Sequence, residues 1–332
     1  MRLRLFFLLL LVQQATSANE IKFGKVSKEE VAAKQHATYP EAEAAILHKK
    51  EWVRYNYQSE TGWSQIREVH FRIKIYNKEG FDWATLQVPL YVSSSDREDI
   101  GSVKGYTFNL ENGKVVSQKL KKDGVFIEEV NKYRNKASIT MPEVREGSVL
   151  DIEYKITSPM FWHIDEFRLQ YDIPVDQAEA QLNIPEYFIF KQYSRGTQPI
   201  SVKQSKENRS LHVTYRSSDG SGWSAKSTHK TGSLDFFENV YNIGVFNIPA
   251  LLDEKYTSNI DNFRASMKFE LASTRFPNSP YKNYSLTWED VAKSIYDYDD
   301  FGNELNRENY FDDEVDQLRK RQSLFFNMLN LK

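Results

Sequence analysis

The sequence predicts a mainly β fold, a large antiparallel β-sandwich with short flanking helices at its N- and C-terminal ends. Apolar and polar residues alternate with a period of two, segment after segment, between about residues 43 and 275. That period marks strands with one face buried. Turn-forming pairs such as Asn112-Gly113 separate the segments, and both residues of such a pair tolerate positive φ. Helical patterns do not alternate with the strands, which argues against an α/β arrangement. The 19 Tyr, 21 Phe and 6 Trp agree, because aromatic side chains suit a pleated, half-buried surface.

Residues 1–18 read as a signal peptide. Arg2 and Arg4 precede the apolar run Leu5–Val12, and small residues Ala15, Ser17 and Ala18 follow it. Cleavage is expected after Ser17 or Ala18. The run is too short to cross a hydrocarbon core about 30 Å thick, and no later segment approaches a membrane span. The expectation is an exported chain, periplasmic or secreted. With no cysteine it has no disulfide, no lipoprotein anchor and no thiol nucleophile. The 44 basic and 46 acidic residues are mixed along the chain, without the basic block that nucleic acid would require.

Residues 19–39 form a helical lead-in, where Ser27-Lys28-Glu29-Glu30 before Val31 has the pattern of a capping box. Residues 40–280 form the sandwich. Val69, Phe71, Ile73 and Ile75 alternate with His70, Arg72 and Lys74, and Leu150, Ile152, Tyr154 and Ile156 with Asp151, Glu153 and Lys155. Leu211, Val213 and Tyr215 alternate with His212 and Thr214, and Met267, Phe269 and Leu271 with Lys268 and Glu270. Glu146-Gly147 is a turn into a strand, Ser217–Gly222 a loop, and Pro174 and Pro185 mark where one sheet hands over to another. Residues 281–332 are helical. Thr287 caps a helix over Trp288–Tyr296, and Asp312 or Asp313 opens a last one.

Five stretches together resemble one known family: MPEVREGSVLDIEYKITSP (Met141–Pro159), FRLQYDIPV (Phe167–Val175), IPEYFIF (Ile184–Phe190), Glu254–Pro277 and TWEDVAKSIY (Thr287–Tyr296). It is the domain of unknown function that precedes a transglutaminase-like core in exported proteins of Gram-negative bacteria. The resemblance implies a continuation into a core with catalytic Cys, His and Asp. The sequence reaches Lys332 about where that core would start and has no cysteine, so no catalytic residue of the family carries over. An accessory role beside a transglutaminase-like partner or envelope protein follows as the expectation, without a cofactor. A glycan- or peptide-binding module of the envelope is the alternative.

Motifs for a nucleophile elbow, a zinc helix, a phosphate loop and a dinucleotide fold are all missing, and Gly220-Ser221-Gly222 is only a flexible loop. His163, Asp165 and Glu166 share a loop and have acid–base or metal-binding chemistry, against the plainer reading of a solvated loop. His70 and His212 are expected at exposed sheet positions. Asp297, Asp299, Gly302 and Glu308 fall at positions one, three, six and twelve of a calcium loop, but Phe301 has no oxygen for the fifth. They are weak metal candidates. Trp162 and Trp223 adjoin polar loops and have faces that suit sugar rings. Leu324, Phe325, Phe326, Met328 and Leu329 make the C-terminal tip apolar nearly all round, a surface expected to dock on its own domain or on a partner.

Overall fold

The computed structural model describes residues 21–93, 96–219, 226–277, 279–284, 287–298 and 314–320. Strands form where the alternation is strongest. They are β1 (Ala44–Gln58), β2 (Gly62–Ile75), β3 (Thr85–Tyr91), β4 (Asp99–Glu111) and β5 (Lys114–Lys119). Next come β6 (Val125–Asn131), β7 (Arg134–Thr140), β8 (Val149–Ser158), β9 (Phe167–Arg168) and β10 (Val175–Pro185). The series closes with β11 (Phe188–Arg195), β12 (Ser201–Asp219), β13 (Lys226–Ile248), β14 (Ser266–Thr274) and β15 (Lys282–Asn283). The fold is mainly β, as expected, with several sheets and few short helices.

The described residues up to Glu186, together with those of Gln192–Glu270, form one compact unit. Its largest sheet has eight strands in the order β12-β13-β10-β1-β2-β8-β4-β5. Seven strand junctions follow from that order. Six are antiparallel, and one, β1 with β10, is parallel, with Ile46 opposite Val175 and Val53 opposite Leu182. A second sheet of the same unit has the order β3-β7-β6. The parallel pair departs from the purely antiparallel expectation. Period-two patterning reports which face is buried and is blind to strand direction. Pro174 and Pro185 bracket β10, where a missing ladder donor is harmless, and β10 joins the main sheet.

The turns behave as their residues require. Asn112 (φ 50°) and Gly113 (φ 75°) connect β4 to β5, and Gly147 (φ 87°) precedes β8. Ser217–Asp219, expected in a loop, instead continue β12 against Thr228–Lys226 of β13. In helix α1 (Lys28–Ala32) both halves of the capping box are made by Ser27 and Glu30.

Both faces of the central strands are buried. Ile46, Val53, Ile73, Leu150, Ile152 and Leu182 are solvent-inaccessible core residues, each contributing about 1.5–3 kcal/mol of burial. His70, Arg72, Lys74 and Asp151 on the opposite face are buried as well, beneath the chain from Lys22 to Val31. The Gly24 N–H donates to Asp151 (2.6 Å), Arg72 donates to the Lys22 carbonyl (2.9 Å), and Lys74 Nζ donates to the Val31 carbonyl (2.8 Å). His70, expected to be exposed, is therefore a buried partner of Asp151 at 2.6 Å. His212 is exposed.

The second unit comprises Tyr187–Lys191 and the described residues from Leu271 onward. Phe276 packs on Tyr187 and Phe188, with ring centroids 5.9 and 5.6 Å away, and Ser273–Thr274 pair with β15. Thr287 caps α2 (Trp288–Tyr296) with a complete capping box through Asp290. Residues 314–320 are helical.

Candidate functional site

A cleft of about 800 Å³ opens in the first unit between β1, β2 and β8 of the main sheet and β3 of the smaller one. Its floor is charged because β1 carries Lys49 and Glu51 two residues apart, which puts both on one face of a strand. Arg67 projects from the neighbouring β2. It donates to Glu51 Oε2 through Nε (2.8 Å) and its terminal nitrogen (2.5 Å), and to Asp165 Oδ2 (2.6 Å). Lys49 pairs with the other Glu51 oxygen and donates to the Arg168 carbonyl (2.7 Å). The guanidinium of Arg67 also lies 5.6 Å from the Phe167 ring centroid.

Burial alone would raise the carboxyls of Glu51 and Asp165. For Glu51 the charges of Arg67 and Lys49 outweigh burial, and for Asp165 the charge of Arg67 and contact with His163 do, so both stay below the usual carboxylate range. Burial would likewise discharge Lys49 and Arg67, yet their anionic partners hold both above the ordinary value. The floor is a locked, fully ionised network. Such a network confers rigidity more than net stability, because desolvation offsets most of the attraction.

Of the loop singled out in the sequence, Asp165 and Glu166 line the cleft. His163 Nε2 lies 3.3 Å from Asp165 Oδ1, and its ring packs edge-on to Tyr91 at 4.7 Å. Glu166 accepts a short hydrogen bond from the Ser266 hydroxyl. Among the described residues no group of three or more His, Asp and Glu side chains is placed to hold a metal ion. Trp162 is half exposed and is not among the residues lining the cleft. Asp297 is the residue following α2. Asp299, Gly302, Glu308, Trp223 and the tip Leu324, Phe325, Phe326, Met328 and Leu329 lie outside the described residues. Lys49, Glu51 and Arg67 escaped the sequence reading. Their available signal was opposite charge at a spacing of two inside a strand otherwise rich in Ile, Val, Trp and Tyr.

A second polar cluster lies under the N-terminal segment. Asp151 accepts from His70, Arg72 (3.0 Å) and the Gly24 N–H, and Arg72 also reaches Glu30 (3.3 Å). The ring of His48 stands 5.5 Å from that of His70. Burial first, then the charges of His70, Lys50 and Arg72, push His48 down to about 4.

The chain is similar to the crystal structure of a candidate protease from Parabacteroides distasonis, at 13% identity and a TM-score of 0.47 over 70% of this chain and 41% of that one. It is also similar to an M1 zinc metallopeptidase from Deinococcus radiodurans, at 9% identity and a TM-score of 0.23 over 64% of this chain and 45% of that one. The chain thus spans less than half the length of these solved structures. No protein with a curated description matches it. Among the described residues no helix is long and apolar enough to cross a membrane. A family model does match, over residues 63–219, from β2 through β12 and with the floor residue Arg67 and the wall strand β3 inside it. Over those residues, a little under half of the chain, the protein is similar to the domain of unknown function DUF3857.

Proposed function

We propose that the chain is an exported, non-catalytic domain that acts through protein contacts, presenting or supporting a transglutaminase-like partner in the periplasm or outside the cell. The observation that carries this reading is the state of the cleft floor. Lys49, Glu51, Arg67 and Asp165 neutralise one another, and both carboxylates are held ionised. A carboxylate hydrolase needs one carboxyl kept protonated near neutral pH as general acid, and these two are pulled the other way. The sequence also offers no thiol for an acyl intermediate. A rigid floor with aromatic flanks, Phe71, Trp83, Tyr91 and Tyr171, suits recognition.

The apolar residues Leu324, Phe325, Phe326, Met328 and Leu329 are the proposed partner surface. The test is twofold. The purified chain is expected to leave casein and fluorogenic peptides uncleaved, and deletion of Leu324–Lys332 is expected to lower the oligomer size or aggregation seen by light scattering without changing the melting temperature. Saturable peptide turnover would overturn the non-catalytic reading. A deletion variant that melts earlier, with unaltered oligomer size, would sink the partner surface.

A further inference from the structure

β3 is the outer strand of its sheet, and among the described residues its one partner strand is β7. The ladder continues at both ends, from the Met141 N–H to the Ala84 carbonyl (2.8 Å) and from the Val92 N–H to the Tyr133 carbonyl (2.9 Å). Antiparallel alternation then fixes which backbone groups point away from β7: those of Thr85, Gln87, Pro89 and Tyr91. Two of these positions are already satisfied in part or whole. The Thr85 N–H bonds the Asp82 carbonyl. The Tyr91 N–H bonds Glu98 Oε2 (2.9 Å), and the Tyr91 carbonyl accepts from the Glu98 N–H (2.9 Å). Pro89 has no N–H. What remains is one donor, on Gln87, and three acceptors, on Thr85, Gln87 and Pro89. All of these residues line the cleft.

The edge is also polar along its length. Near its start stand Asp82 and Asp172, both exposed cleft residues with no ion-pair partner among the described residues. Together with Glu79 they crowd Glu43 enough to help burial raise its carboxyl. Opposite its end stands Arg134, paired across the ladder with Tyr91. Arg134 is exposed, lies 5.3 Å from the Tyr91 ring and also lacks an ion-pair partner among the described residues.

We infer that the free edge of β3 docks an extended peptide segment of a partner protein, added as a strand within the cleft. A basic side chain of the segment lies at the Asp82–Asp172 end and an acidic one at the Arg134 end. This rests on the reading of the chain as a contact domain and names how contact is made. Main-chain bonds to Gln87 supply the pairing, and the two charged ends set the register. The free run from Thr85 to Pro89 spans roughly 16 Å, and a segment of about seven residues carries its two terminal side chains past it toward both charged ends. A second copy of this edge is the wrong occupant, because β3 carries no charged residue to meet Asp82, Asp172 and Arg134. The lone donor beside Pro89 also discourages indiscriminate edge pairing.

The probe is a fluorescein-labelled Lys-Val-Thr-Val-Thr-Val-Glu peptide titrated with the full chain and followed by anisotropy. Saturable binding is expected. Methylating the backbone nitrogens of the three central residues is expected to weaken it about tenfold or more, the loss of one or two good hydrogen bonds. Gln87→Pro, at an outward position like that of Pro89, is expected to weaken it similarly. The paired change Asp82→Asn with Asp172→Asn is expected to weaken the Lys peptide but not one with Gln in place of Lys. Absence of saturable binding, or equal affinity for the methylated and unmethylated peptides, would overturn the proposal. The methylated peptide gives that answer even if Gln87→Pro does not fold. Cleavage of the probe would defeat the non-catalytic reading while leaving the docking measurement standing.

Discussion

The buried His48 makes stability depend on pH with a definite sign. In the folded chain its imidazole is held at about 4, against 6.5 for an ordinary histidine. Only 4% of the residue is exposed, and Nδ1 has no hydrogen-bond partner among the described residues, so a proton there would gain nothing. Above pH 6.5 the side chain is neutral in both folded and unfolded chains and contributes no pH dependence. As pH falls below 6.5 the unfolded chain binds the proton first, and stability drains away until about pH 4, where the folded form is protonated too. The shift corresponds to roughly 3 kcal/mol over that window. His48→Gln removes the titration. Chemical denaturation of both proteins at pH 7.5 and pH 4.5 measures it, as the change with pH in the stability gap between them. Wild type should lose roughly 2–3 kcal/mol more than the variant on acidification. Glu43, Glu98 and Glu153, all raised by burial, titrate in both proteins and cancel in the difference. A gap that is the same at the two pH values would refute the reasoning and place His48 in a solvated environment.

Asp151→Ala strands His70 and Arg72 in a buried site and releases the Gly24 N–H, so unfolding by urea should show a loss of about 3–5 kcal/mol. A loss below about 1 kcal/mol would mean that the cluster is wet. Gly147 sits at φ 87° with the nearest atom to an added Cβ 4.0 Å away. Gly147→Val therefore costs backbone strain rather than a clash, about 1–2 kcal/mol, or a few degrees of melting temperature. An unchanged melting curve would remove that role. Millimolar calcium should leave melting unaltered, because a ligand of the native state must raise it and Phe301 gives the loop no fifth oxygen. A saturable shift lost in Asp297→Ala would reverse that assignment.

Legibility in the sequence followed the physics of each signal. The capping box of Ser27 and Glu30, the cap at Thr287 and the turns at Asn112-Gly113 and Gly147 are local, and each was readable because the residues themselves impose the backbone. The strands at Val69–Ile75 and Leu150–Ile156 were readable from period two. The same period hid the burial of His70, Arg72 and Asp151. Alternating charge looks solvated unless the covering chain is known, and here the cover is Lys22–Val31, whose carbonyls, Gly24 N–H and Glu30 meet the strand charges one by one. The cleft was less legible still. Glu51 and Arg67 are 16 residues apart, and Asp165 lies 98 beyond Arg67. No local pattern encodes that meeting.

The parallel pairing of β1 with β10 divides the large sheet into two antiparallel halves, β1-β2-β8-β4-β5 from residues 44–158 and β10-β13-β12 from 175–248. The widest pairing within a half, Gln65 with Ser158, spans 93 residues, and the seam joins positions farther apart still, such as Ile46 and Val175 at 129. Contacts of that span come late, because loop closure must precede them. The order of events during folding is therefore built into the connectivity: two half-sheets first, then one joint. It follows that destabilising substitutions along the seam, at Ala178 or Leu182 for example, should mainly speed unfolding, because those contacts form last. Substitutions within a half, whose contacts form earlier, should instead slow folding.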